Sequence, residues 1–99
     1  MEILKSNENG AVKLQVKGEI DGSNVKEFEL SLREASKSTD KMILDLDGLE
    51  YVSSAGLRVF LIMQKQMGDG LVIKNVTGEV KDIFSLTGFV KLLNIREDE

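Results

Sequence analysis

Between residues 11 and 20 the chain reads AVKLQVKGEI, in which Val12, Leu14 and Val16 alternate with Lys13, Gln15 and Lys17. A period of two sends the apolar set to one face and the polar set to the other, the pattern of a strand with one side against a core. Such a strand needs a neighbour, and EILKS just before it supplies one. The intervening NENG offers Asn and Gly residues that tolerate positive φ, which predicts an antiparallel hairpin. Gly18 and the DGSN that follows are expected to stop the second strand.

The period then changes. Asn24 with Glu27 three residues on resembles a capping box, and Val25, Phe28, Leu32 and Ala35 recur at helical spacing. This predicts an amphipathic helix near 24–37, with Lys26, Glu27, Arg33, Glu34 and Lys37 in solvent. In KMILDLDGLEYV the run Met42, Ile43, Leu44 has the continuity of a central strand in a parallel sheet, covered on both faces. DGLE predicts a turn and SSAG opens a second helix. LRVFLIMQKQM carries that helix to GDG, whose glycines end it before the strand LVIKNV. Thr77 with Glu79 begins a third helix, with Val80, Ile83, Phe84 and Ser85 inward, until TGF breaks it. VKLLNI reads as a last edge strand and REDE as a frayed tail. The expected order is β-β-α-β-α-β-α-β, an α/β fold with a mixed sheet. A length of 99 residues, 41% of them apolar, predicts a single domain over 1–99.

Composition limits the function. Thirteen Lys and Arg against 17 Asp and Glu leave a net charge of −4, without the basic footprint that nucleic acid or anionic lipid requires. The chain has no Cys and no His, which removes disulfides, thiolate nucleophiles, Cys/His zinc sites and imidazole bases. MEILKSNENG lacks the basic-then-apolar pattern of a signal peptide, and no stretch approaches the roughly 18 apolar residues of a membrane span. A cytoplasmic protein without direct nucleic-acid or membrane contact is expected.

Ser53 and Ser54 are the candidates for chemistry. As a nucleophile either serine would need a base, and SSAG lacks the G-x-S-x-G elbow. GDG lacks the remainder of a phosphate loop and reads as a turn. Asp45, Asp47 and Glu50 read as solvent-facing turn formers in preference to Mg²⁺ ligands, so no metal and no cofactor are expected. A serine that only caps a helix contributes about 1 kcal/mol. Capping leaves Ala55 and Gly56 unexplained, because Gly in a first helical turn costs about 1 kcal/mol relative to Ala. Small residues there suggest an open surface, and a hydroxyl beside unpaired N–H groups at a helix N-terminus can accept a phosphate. Along the same helix Leu57, Val59, Phe60, Leu61, Ile62, Met63 and Met67 are too many for one face. Arg58, Lys65 and Gln66 mark the solvent side, with Ile62 between them and Leu61 at the border, so Ile62 is a candidate partner contact.

Three segments, KGEID, MILDLDGLEYVSSAGLRVFL and VKDIFSLTGFVKLL, together resemble the STAS domain family. More narrowly they resemble stand-alone anti-sigma factor antagonists, bacterial regulators that bind a serine kinase which otherwise sequesters a sigma factor. The resemblance implies a mixed four- or five-stranded sheet with helices mainly on one face. It implies that Ser54 is the residue the partner kinase phosphorylates, with Ser53 standing where the family carries Asp. Asp21 matches the acidic residue of the family's GELD stretch. The implied partner-binding residues are Asp21, Ser53, Ala55, Gly56, Leu57, Arg58, Leu61 and Ile62. The chain itself would be a ligand and substrate, not an enzyme, with no catalytic residue and with its oligomeric state left open. The alternative is a small-ligand or nucleotide-sensing STAS module within a signalling assembly.

Overall fold

Asn9 and Gly10, at φ 52° and 85°, close a two-residue hairpin between β1 (Glu2–Glu8) and β2 (Ala11–Ile20). Positive φ at both turn residues matches the twist of the flanking strands, which is why Asn-Gly suits this position. The computed structural model describes residues 1–96. β2 does not stop at Gly18. It continues to Ile20 with a register shift between Gly18 and Glu19, and the φ of 95° at Gly18 is one that a residue with a side chain rarely adopts.

After α1 (Val25–Ser36) come β3 (Met42–Asp45), β4 (Leu49–Val52), α2 (Ser54–Met67), β5 (Leu71–Lys74), α3 (Gly78–Thr87) and β6 (Ile95–Arg96). Among the described residues the sheet has six strands in the order β1-β2-β3-β5-β6, with β4 paired to β2 beyond its bulge. β1 runs antiparallel to β2, and the remaining pairs are parallel. β4 is one strand more than the sequence pattern indicates. Of the predicted turn DGLE, Asp47 and Gly48 form the turn, and Leu49 and Glu50 already belong to β4.

The core lies on one side of the sheet. Leu14, Leu44 and Ile73 form one cross-strand row of that face, with Val12, Val16, Met42 and Leu71 beside them, all buried. On the other face Lys13, Gln15, Ile43, Val72 and Lys74 are only half-buried, so β3 is not covered equally on both sides as its apolar run suggests. Each helix contributes one phenylalanine to the core. Phe28 of α1 and Phe84 of α3 both pack on Phe60 of α2, with ring centroids 5.3 and 5.6 Å away.

The C-terminal region departs furthest from expectation. Gly88, at φ 82°, ends α3, and a 3₁₀ turn over Phe89–Lys91 takes in the first two residues of the segment that reads as a strand, Val90 and Lys91. The N–H groups of Leu92 and Leu93 both donate to Phe89 O, which coils the chain so that Leu93 is buried while Leu92 stays exposed. Among the described residues of this C-terminal region, Ile95 and Arg96 are the ones that pair with β5. Arg96 is therefore part of a strand, and the remainder of the expected frayed tail lies outside the described residues. Ser85 is exposed, because it lies about 100° around the helix from the buried Phe84.

Candidate functional site

The two serines at the start of α2 have separate roles. Ser53 is the N-cap, with extended backbone (φ −80°, ψ 171°), and its Oγ accepts a hydrogen bond from the Gly56 N–H at 3.2 Å. Its own N–H donates to Ile20 O at 2.9 Å, tying the helix entrance to the end of β2. Ser54 is the first helical residue and is exposed, and its hydroxyl makes no hydrogen bond among the described residues.

Gly56 is buried, not part of an open surface as its small size suggests. A Cβ at this position would come within 2.6 Å of Val52 Cγ2 and 2.9 Å of Ile20 Cγ2. Glycine is thus required because the first turn of α2 lies directly on the ends of β2 and β4. Leu57 also points into the core at 5% exposure. Gly56 and the Leu57 side chain both lie under the surface in this structure, which corrects the expectation of partner contact at these two positions. Ser54, Ala55, Arg58 and Ile62 face outward at helical spacing, with Leu61 half-buried at their border.

Asp21 sits one residue beyond Ile20, at the same edge of the sheet as Ser53. Its Oδ1 accepts from the Ser23 hydroxyl at 2.6 Å and the Ser23 N–H at 2.9 Å, and these bonds hold its carboxyl below the ordinary carboxylate range. Its carbonyl accepts from the N–H groups of Asn24 and Val25 and so starts α1. The predicted capping box does not form. The Asn24 side chain instead turns back, accepting from the Asp21 N–H and donating to Glu19 O, both at 2.9 Å.

Tyr51 of β4 is exposed beside this edge and was not singled out by sequence reasoning; Glu50, expected in a solvent-facing turn, is exposed but belongs to β4. Tyr51, two residues before Ser53, pairs with Glu19 of β2. The available signal was the order of residues in LEYVSS, but its meaning depends on β4 being a strand, which no local periodicity indicates.

Asp45 is not a solvent-facing turn former. It is 6% exposed, and its carboxylate accepts from Asn75 Nδ2 at 2.8 Å and the Asp47 N–H at 3.0 Å and lies 3.4 Å from Lys13 Nζ. Burial opposes its ionisation, but the Asn75 amide, the Asp47 N–H and the Lys13 ammonium outweigh it and hold the carboxyl below its ordinary value. Among the described residues no group of acidic side chains is arranged to hold a metal ion. Two surface grooves of about 970 and 580 Å³ lie between β1 and α1 and beside the N-terminal ends of β3 and β5. Neither is lined by any residue from 53 to 62.

The family model of the STAS domain matches residues 2–99, and the chain belongs to that family. BtrV of Bordetella bronchiseptica, named as an anti-sigma factor antagonist by inference, is 28% identical over 99 residues, covering 96% of this chain and 85% of that protein. The fold is also that of an anti-sigma factor antagonist from Mycobacterium paratuberculosis, with a TM-score of 0.85 at 22% identity over 95% of this chain and 83% of that one. The unphosphorylated form of the anti-sigma factor antagonist SpoIIAA superposes with a TM-score of 0.79 at 15% identity, over 99% of this chain and 89% of that one. Its phosphorylated form, from Bacillus, gives 0.72 at 14% identity, over 99% and 92%. Among the described residues no helix is long and apolar enough to cross a membrane.

Proposed function

We propose that this protein is an anti-sigma factor antagonist that binds a serine kinase/anti-sigma factor in the cytoplasm, releases a sigma factor, and is switched off by phosphorylation of Ser54. The observation that carries the reading is the division of labour between the serines. The Ser53 hydroxyl is engaged in the cap, while the neighbouring Ser54 hydroxyl is exposed and unengaged. Membership of the STAS family and the names of the relatives above point the same way. The docking surface runs over Ser54, Ala55, Arg58 and Ile62, bordered by Leu61, Ser53 and Asp21.

A phosphate on Ser54 adds about 1.5 to 2 negative charges and a strongly hydrated group to that surface. A penalty of about 3 kcal/mol weakens binding more than a hundredfold, so the switch needs no change of conformation. ATP and Mg²⁺ belong to the kinase, and this chain performs no chemistry of its own.

Incubation with the cognate kinase and ATP is expected to add one phosphate, located at Ser54 by mass spectrometry. Ser54→Ala should abolish the modification and keep binding, and Ser54→Asp should weaken binding. If neither substitution affects partner capture from native cytosol while a small molecule raises the melting temperature, the ligand- or nucleotide-sensing reading replaces this one.

A further inference from the structure

The parallel strands deliver α2 and α3 through two separate turns. The turn Leu46–Gly48 leads from β3 through β4 to Ser54, and Asn75–Thr77 leads from β5 into α3. The Asp45 carboxylate touches both. Its Oδ1 accepts from the Asp47 N–H in the first turn and from Asn75 Nδ2 in the second. A backbone bond runs parallel to this link, from the Leu46 N–H to Lys74 O at 2.9 Å. β2 grips the first turn as well, through Gln15 Nε2 to Asp47 O at 3.2 Å and the Gly18 N–H to Gly48 O at 2.9 Å.

Asn75 stands at φ 61°, the left-handed region that glycine adopts without strain and Asn tolerates. What Asn supplies there beyond glycine is the side-chain donor aimed at Asp45. The acceptor is nearly fully buried, so losing that donor leaves a charged oxygen short of a partner away from water.

We infer that Asp45 is a positioning residue, whose carboxylate clasps the turn before α2 to the turn before α3 and so holds the face around Ser54 in the form a partner meets. This rests on the docking role proposed for that face. Asp45 itself is buried, so it shapes the surface without being part of it.

The test is amide hydrogen exchange by NMR on the free protein and its Asn75→Gly variant, which accommodates the left-handed backbone without strain and lacks the side-chain donor. Leu46, Leu49 and Ser53 report the first turn, and Lys81, bonded to Thr77 O, reports the second. Exchange at all four is expected to rise about tenfold or more, consistent with loss of one hydrogen bond to a charged group. Val12, bonded to Lys41 O at the opposite end of the strands, is expected to stay within about twofold. Unchanged rates at Leu49 and Ser53, or an equal rise at Val12, overturn the clasp. In a second arm, phosphorylation of Ser54 by a cytosolic kinase fraction is expected to slow at least about threefold in Asn75→Gly, a modest loss of preorganisation. An equal rate overturns the positioning role. Failure of that fraction to phosphorylate the unaltered protein counts against the docking role, and the exchange result decides the clasp independently.

Discussion

Ser53 Oγ accepts from the Gly56 N–H, and Gly56 in turn sits where a Cβ would strike Val52 and Ile20, so the first turn of α2 is both capped and pressed onto the sheet. These two contacts orient the helix so that Ser54 lies on the outside. Their loss should be felt in different ways.

Ser53→Ala removes the cap and is expected to cost about 1 kcal/mol, lowering Tm by about 4 to 8 °C for a domain of this size. Urea denaturation should show a lower midpoint with an unchanged m value. Ser54→Ala, which removes an unengaged hydroxyl, is expected to stay within about 0.5 kcal/mol of the unaltered protein.

Gly56→Ala would stabilise an ordinary helix by nearly 1 kcal/mol. Here the approach to Val52 Cγ2 reverses the sign, and a net loss of about 1 to 3 kcal/mol is expected from overpacking. Combining it with Val52→Ala should recover part of that loss. Recovery in a double-mutant cycle identifies the clash as the cause.

Gln64 is buried in α2, donates to Gly68 O and Leu71 O, and accepts from the Asn94 N–H. Gln64→Leu keeps the approximate volume and leaves the Asn94 N–H without its partner, at a cost of about 1 to 3 kcal/mol. Exchange of the Asn94 amide should accelerate more than that of Phe28 in α1.

Asp45 and Asp21 predict sensitivity to acid. Both have folded pKa values below the unfolded one, so between the two values the unfolded state binds more protons and stability rises with pH. Their contribution is complete above about pH 4 and is lost as pH falls through the folded values. Asp45→Asn removes its share, so the stability of that variant should depend less steeply on pH below about 4, by denaturant titrations at pH 3 and 5.

Much of the scaffold was legible in the sequence because it follows from local period. The alternation of Val12, Leu14 and Val16, the Asn9–Gly10 turn and the spacing of Phe28, Leu32 and Ala35 each state which face is buried whatever lies opposite. The outward stripe of Arg58 and Ile62 follows from the same helical geometry. The pairing of serines with a small-residue turn located the candidate site, and the STAS resemblance singled out Ser54.

Other features required the assembled chain. The inward turn of Asp45 depends on Lys13 and Asn75, which arrive from β2 and the far end of β5. The strand character of Leu49–Val52 depends on the bulge at Gly18, and the demand for glycine at position 56 depends on Ile20, 36 positions earlier. Local sequence determines which side of an element is apolar, because that is set by backbone geometry within a few residues. Burial of a charge, or a close approach between backbones, is set by groups far along the chain, and only the tertiary fold decides which of them meet.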